Sequence, residues 1–280
     1  MNACKMLLAG AVALAAGAWS PAQAKEWKTV TITLEGAYAP WNMTNPDGTL
    51  GGFEPELAKY LCDHMKVECK LVASDWDSMI TSLNAGKFDV IMDALSITEE
   101  RKKIIDFSIP YAHTHAAFAA SKDSSYTNAP GTGTVVKMEP DLSGGKDSVE
   151  AMRTAFKGAT IGIQAATVYA KFIYDNFGDI ATIREYKTGA ERDLDLETGR
   201  IDLAFDDAVY LNSAFEKANG ELAFSGPEIG GTIFGIGEGL GVRQSDPELK
   251  AMLDDAIKAA LADGVVKELS MKWFKTDVTP

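Results

Sequence analysis

The chain is expected to fold as an α/β protein of two sheet-bearing units. Short apolar or alternating runs regularly separate runs of helical period, and that rhythm breaks once, near residue 111, before it resumes. Each unit should be a parallel-type sheet covered by helices on both faces, because strand-helix-strand repeats of this length close right-handed.

The elements follow in order. Residues 29–34 alternate as a strand; 53–65 form an amphipathic helix with Leu57, Tyr60, Leu61 and Met65 on one side; 68–73 return as strand. Residues 76–83 read as the next helix, ended near Gly86, and 89–92 as a short buried strand. That strand empties into Asp93, Ala94 and Ser96, and Thr98 with Glu99 and Glu100 opens a new helix by capping and dipole rules. Residues 112–120 read as a long apolar strand. Residues 123–157, rich in Gly, Pro, Ser and Thr, read as an exposed excursion with a short helix near 149–156.

Alternation then resumes with strands at 159–164, 182–186 and 201–205 and helices at 168–177 and 191–198. Residues 232–242 carry glycines at 235, 237, 239 and 241, which reads as a strand with small residues on one face; no Gly-Lys-Ser/Thr follows to make a phosphate loop. Asp246 as N-cap and Pro247 at the first helical position begin the next helix, which Gly264 ends; residues 265–274 form a further short one.

Residues 1–24 have a basic start at Lys5, an apolar stretch at 6–19 and the small-residue pattern Ala22-Gln23-Ala24, which reads as a cleaved secretory signal peptide. A membrane anchor needs about 20 unbroken apolar residues. The formal net charge of −13 becomes −14 over the 256 residues from Lys25 onward, since the segment removes Lys5 and no acid. An acidic balance argues against nucleic acid and anionic membrane surfaces, and suits a soluble protein with a cationic ligand.

Two cysteines, Cys62 and Cys69, stand close together beyond the signal segment. Export favours a disulfide between them; two buried free thiols are the alternative, and a metal site would have only His64 as third ligand. His113 and His115 share a face of the expected strand, where packing competes with a metal site lacking an identifiable carboxylate. No metal and no cofactor are expected.

Several segments, taken in order, carry a resemblance: Glu35-Gly-Ala-Tyr-Ala-Pro-Trp41, Gly51-Gly-Phe-Glu-Pro-Glu-Leu-Ala58, Cys62 with Cys69, Ala94-Leu-Ser-Ile-Thr-Glu-Glu-Arg101, Asp106-Phe-Ser-Ile-Pro-Tyr111, Gly162-Ile-Gln164, Gly199-Arg-Ile-Asp202 and Ala262-Asp-Gly264. From residue 25 onward the chain resembles the extracellular solute-binding proteins of amino-acid ABC importers, most of all the branch that binds basic amino acids and opines.

The resemblance implies a two-lobed periplasmic-binding-protein fold of type II. Lobe 1 would comprise residues 25–113 and 237–280, and lobe 2 residues 114–236 with an insertion at about 123–157. Two hinge strands would cross near 111–115 and 234–238, with Gly235 and Gly237 giving torsional freedom. It also implies a periplasmic monomer that hands an amino acid to membrane subunits of an importer.

By the same resemblance Arg101 holds the ligand carboxylate with Ser96 and Thr167, and the Ala94 carbonyl and Asp207 meet the α-ammonium. Chemistry supports Arg101 independently, since a cation in the first turn of a helix needs an anion nearby, although a surface pair with Glu99 or Glu100 would also serve. Asp207, beside Asp206, could instead cap a helix. The family often has Gly before the Thr167 position, where this chain has Ala166.

Gln164 joins the same site. Tyr38 and Trp76 are expected to sandwich a planar or cationic group, with Glu35 nearby. Asp93 departs from the small hydroxyl residue common at its position, and with Asp206 it would make the cleft acidic, unless it merely caps the following turn.

The expected function is capture of arginine, ornithine, lysine, histidine or an arginine-derived opine, with no catalysis. A dehydratase on the same scaffold acting on prephenate or arogenate, with Glu35 or Asp93 as general acid, is the alternative from another class. Binding of a polar uncharged amino acid and a sensor ectodomain are the others.

Overall fold

The computed structural model describes residues 26–280, so the signal-peptide reading of residues 1–24 lies outside the described residues. The chain begins with β1 (Thr29–Leu34), then three short strands, β2 (Ala37–Tyr38), β3 (Asn42–Thr44) and β4 (Leu50–Gly51), which form a small antiparallel sheet. Helix α1 (Phe53–Met65) buries Phe53, Leu57, Ala58, Leu61 and Cys62, a stripe at helical spacing. Strand β5 (Glu68–Ala73), helix α2 (Met79–Asn84), β6 (Val90–Ile91), α3 (Glu99–Lys102) and β7 (Asp106–Phe107) complete this run.

The second run holds β8 (Ala116–Ser121), β9 (Val135–Met138), α4 (Lys146–Ala155), β10 (Thr160–Gln164), α5 (Val168–Phe177), β11 (Thr182–Tyr186) and α6 (Gly189–Glu197). It continues through β12 (Leu203–Asp207), α7 (Ala208–Lys217) and β13 (Leu222–Gly231). The chain then returns to the first sheet with β14 (Gly241–Val242) and closes with α8 (Pro247–Ala262) and α9 (Val265–Trp273).

The protein therefore has two sheet-bearing lobes. The first sheet has the order β5-β1-β6-β14-β7, with β1 parallel to β5 and β6, and β14 antiparallel to its neighbours. The second has the order β11-β10-β12-β8-β13-β9, parallel at both edges and antiparallel where β8 meets β12 and β13. Each sheet is sealed by aromatic packing: Trp41, Phe53, Tyr111 and Phe274 on the first lobe, Phe118, Phe156, Phe177 and Phe205 on the second.

Several predicted elements need correction. The expected helix at 76–83 is a single 3₁₀ turn, Trp76–Ser78, followed by α2. The strand expected at 112–120 begins only at Ala116, because the segment before it is spent on crossing contacts: Glu238 N–H donates to Ala112 O at 2.9 Å and His113 N–H to Val278 O at 2.8 Å. The excursion at 123–157 is partly built into the sheet, since β9 pairs parallel with β13 at its edge. Strand β13 and helix α7 were not expected at all.

The glycine-rich run is not a strand over 232–242; only Gly241–Val242 is. Gly235 and Gly237 have φ of 119° and 115°, a conformation L side chains rarely adopt, and a Cβ on them would lie 2.5 Å from Ile97 O and 2.7 Å from Ala112 O. Both let backbone approach closely, Gly235 to the segment after β6 and Gly237 to the segment before β8.

Cys62 and Cys69 form a disulfide that ties the last turn of α1 to β5, so the free-thiol and metal alternatives fall away. His115 Nδ1 lies 3.1 Å from Glu228, and among the described residues no group of three or more His, Cys, Asp or Glu is placed to hold a metal ion.

Candidate functional site

A cleft with about 370 Å³ of empty space, part of it open to solvent, lies between the lobes, at the C-terminal ends of β1, β6 and β10. In open α/β sheets this is where strand ends release side chains outward for ligands. It is lined by Glu35, Tyr38, Trp76, Asp93, Ala94, Ser96, Arg101, Gln164 and Thr167, together with Val168 and Tyr169. Asp207 is the one predicted site residue that does not line it.

Arg101 turns inward from α3. Its backbone N–H donates to the N-cap Thr98 Oγ1 at 3.2 Å, and its Nη1 donates to Ser96 O at 3.0 Å. The guanidinium carbon lies 5.4 Å from the centre of the Trp76 ring. The surface pair considered from the sequence is made by Lys102 instead, at 2.8 Å from Glu99. Arg101 makes no ion pair with any described carboxylate, and desolvation lowers its pKa to about 10. A buried guanidinium in this condition can receive an anion through charge-assisted hydrogen bonds.

The same lining carries acids. Asp93 Oδ1 accepts from Glu35 N–H at 3.0 Å and Asn42 Nδ2 at 2.6 Å, while its buried Oδ2 has no partner. Burial, with the charges of Glu54 and Glu35, pushes its pKa well up. It does not cap Ser96. Glu54, fully buried, accepts from Ala94 N–H and Asn42 Nδ2, each at 2.7 Å, and from the Tyr111 hydroxyl. Glu35 accepts from Gln164 Nε2 at 3.0 and 3.2 Å; burial raises its pKa to about 7, with Asp206 and Asp75 adding to the rise and the Gln164 bond opposing it.

Thr167 caps α5 by accepting from Ala170 N–H at 3.0 Å, and its hydroxyl donates to Gln164 O at 2.9 Å. The hydroxyl hydrogen expected to meet a ligand carboxylate is thus already used within the chain. Ala166 has φ of 60°, in the left-handed region where glycine is at ease.

Three predicted contacts differ from expectation. Asp207 is the N-cap of α7, accepting from Tyr210 N–H at 2.9 Å, and its other oxygen takes the Thr114 hydroxyl. Asp206 does not add free negative charge to the cleft: it pairs with Arg192, which is fully buried, and accepts from the Tyr38 hydroxyl at 2.6 Å. The aromatic sandwich is altered too, because Tyr38 already stacks on Tyr210 at 4.5 Å and Trp76 carries Arg101 on its ring.

The groups that sequence reasoning missed are Asn42, Glu54, Arg192, Tyr210 and Tyr169. One signal was available: Gly189, Arg192, Asp193 and Leu196 fall at helical spacing and form the buried face of α6, a stripe carrying two charges. Glu54 gave no such signal, since an acid in the first turn of a helix ordinarily faces solvent.

The lobes touch directly around the cavity. Trp76 Nε1 donates to Ala165 O at 3.2 Å, Gln164 meets Glu35, and Lys187 pairs with Asp75 at 3.0 Å on the surface.

Comparison with known proteins agrees with this architecture. The family model for bacterial extracellular solute-binding proteins, family 3, matches residues 30–276. An octopine-binding periplasmic protein of Rhizobium meliloti is 40% identical, with 99% of each chain covered. An L-arginine-binding protein of Pseudomonas aeruginosa is 34% identical over 98% of each chain. Among solved structures, a periplasmic His/Glu/Gln/Arg/opine family-binding protein from Silicibacter pomeroyi in complex with lysine superposes with a TM-score of 0.71 at 31% identity, covering 90% of this chain and 99% of that one. The chain belongs to the bacterial extracellular solute-binding proteins, family 3.

Proposed function

We propose that this protein captures a cationic amino acid (arginine, ornithine, lysine or histidine) or an arginine-derived opine between its lobes and delivers it to the membrane subunits of an ABC importer. One observation carries this reading. The cavity is lined by Arg101, a guanidinium with no carboxylate partner among the described residues, and by Asp93 and Glu35, carboxyls with no cationic partner among them. An amino acid with a charged side chain supplies an anion to the first and cations to the second.

Binding and closure are one process on this reading. A ligand that touches both lobes stabilises the closed form by its differential affinity for it, and the importer recognises the closed surface. The names of the octopine- and arginine-binding relatives support the ligand class, and the periplasmic relatives support a periplasmic location. A monomer is proposed.

No chemistry is proposed for the site. A dehydratase reading has one observation in its favour, the Glu35 carboxyl at a pKa of about 7, suited to a general acid. Incubation with prephenate and arogenate separates the two, since turnover of either supports the enzyme. Calorimetric titration tests the binding reading itself: arginine or octopine should give saturable heat at one ligand per chain. Silence from every cationic amino acid and from octopine would remove it.

A further inference from the structure

We propose that Glu238 is a positioning residue that works as a neutral acid: its carboxyl donates a proton to the Thr114 hydroxyl, which donates in turn to Asp207. The positioning role rests on the binding function proposed above, whereas the place of the proton does not. Three segments meet at this point. Thr114 lies on the segment before β8, Glu238 on the segment before β14, and Asp207 at the head of α7 in the second lobe.

Backbone bonds bring the two crossing segments together. Glu238 N–H donates to Ala112 O and Tyr111 N–H donates to Glu238 O, each at 2.9 Å. The Glu238 carboxyl is thereby carried inside, 6% exposed, with Oε1 at 3.1 Å from Thr114 Oγ1 and Oε2 without a partner among the described residues. The same hydroxyl meets Oδ2 of Asp207, which is 2% exposed.

A threonine hydroxyl has one hydrogen to give. Were both carboxyls ionised, one of them would face an oxygen lone pair. No cation offsets two anions here either: among the described residues neither Glu238 nor Asp207 makes an ion pair, and the titratable groups that face them are Glu54, Tyr111, Tyr169, Tyr38 and Asp206. Arg192 is engaged by Asp206 and Asp193, and His115 by Glu228. Two buried carboxyls this close keep one proton between them.

The surroundings place that proton on Glu238. Asp207 accepts Tyr210 N–H at 2.9 Å as the N-cap of α7, where the positive end of the helix favours an anion. Burial raises Asp207 to about 6 and Glu238 to about 8, the charge of Asp207 adding to the second rise, so near neutrality the first is ionised and the second is not. Thr114 is then held from one side by Glu238 and fixes Asp207 on the other, with no second buried charge beside it.

The test compares the mature wild-type chain with Glu238→Gln, Glu238→Leu and Asp207→Asn. Infrared difference spectra near neutral pH, without ligand, read the charge of each group. Wild type minus Glu238→Gln should show the loss of a protonated carboxyl, and wild type minus Asp207→Asn the loss of a carboxylate. Any other pairing overturns the assignment. Melting temperatures add a pH profile: the fold holds a proton on Glu238 that the unfolded chain releases, so the Glu238→Gln chain should gain on wild type steadily from about pH 5 to 8. A difference independent of pH overturns it as well.

Calorimetry with arginine tests the positioning. Glu238→Leu cannot donate to Thr114 and should weaken binding about tenfold, the scale of one hydrogen bond in a charged chain, while Glu238→Gln, which can donate, should recover most of that loss. Equal affinity in Glu238→Leu and wild type, or an equal loss in both variants, removes the positioning role. A wild-type chain that binds no cationic amino acid overturns that role together with the binding function, and the infrared spectra still decide where the proton sits.

Discussion

The Tyr38 hydroxyl donates to Asp206 across the boundary between the lobes at 2.6 Å, and the Tyr38 ring stacks on Tyr210 with ring centres 4.5 Å apart. Asp206 is itself held by Arg192, so Tyr38 of the first lobe enters a rigid polar socket of the second. In this conformation the ring ties lobe to lobe in addition to lining the cavity.

Replacing Tyr38 with Phe keeps the stack and removes one hydrogen bond to a charged group. A loss of about 1.5 kcal/mol is expected, close to tenfold in affinity. Because the bond joins the lobes, the loss should be similar for arginine, lysine and histidine when measured by calorimetry. A loss confined to one ligand would show that the hydroxyl contacts ligand instead.

Arg101→Ala should abolish binding at ordinary ligand concentrations, a loss of at least about 3 kcal/mol, since Arg101 is the guanidinium proposed to hold the ligand carboxylate. Circular dichroism matching wild type would establish that the fold is retained. Affinity within threefold of wild type would remove Arg101 from the site.

The buried carboxyls give the ligand-free protein a definite pH dependence. Glu35, Asp207 and Glu238 are raised by burial to about 7, 6 and 8. The folded chain therefore holds protons that the unfolded chain has released, and stability falls as pH rises from about 5 to 8. The melting temperature without ligand should decline across that window, and arginine affinity should rise over it as the acids ionise. A melting temperature that climbs from pH 5 to 8 contradicts the burial of these groups.

Removing the disulfide tests a purely structural element. Cys62→Ser with Cys69→Ser should cost about 2–3 kcal/mol, the loop-closure value for so short a loop, or roughly 5–10 °C in melting temperature. Arginine affinity should be unchanged, because the bridge joins α1 to β5 away from the cavity.

Local signals made much of this protein legible in its sequence. Strand β1 and helix α1 have the bounds that their periodicity predicts, and Arg101 stands in the first turn of a helix opened by Thr98. What escaped was set by long-range contacts. Nothing near Asp207 says that Thr114, distant in sequence, will take its second oxygen, and nothing near Asp206 announces Arg192. The glycines at 235 and 237 looked like one face of a strand because a two-residue period says nothing of the sign of φ. Asp93 stands out in the sequence for its charge and for its departure from the family's usual small hydroxyl; its unpartnered oxygen is visible only once Asn42 and Glu35 are placed around the other.

The central claim is that a carboxylate clamp and an acidic wall together select a cationic amino acid, and a thermal-shift comparison of arginine with glutamate tests it most directly. Arginine at 100 times its dissociation constant should add about 2.7 kcal/mol of stability, roughly 5–10 °C, while glutamate leaves the melting temperature unchanged. A shift with glutamate, accompanied by silence from arginine, ornithine, lysine, histidine and octopine, would contradict the account.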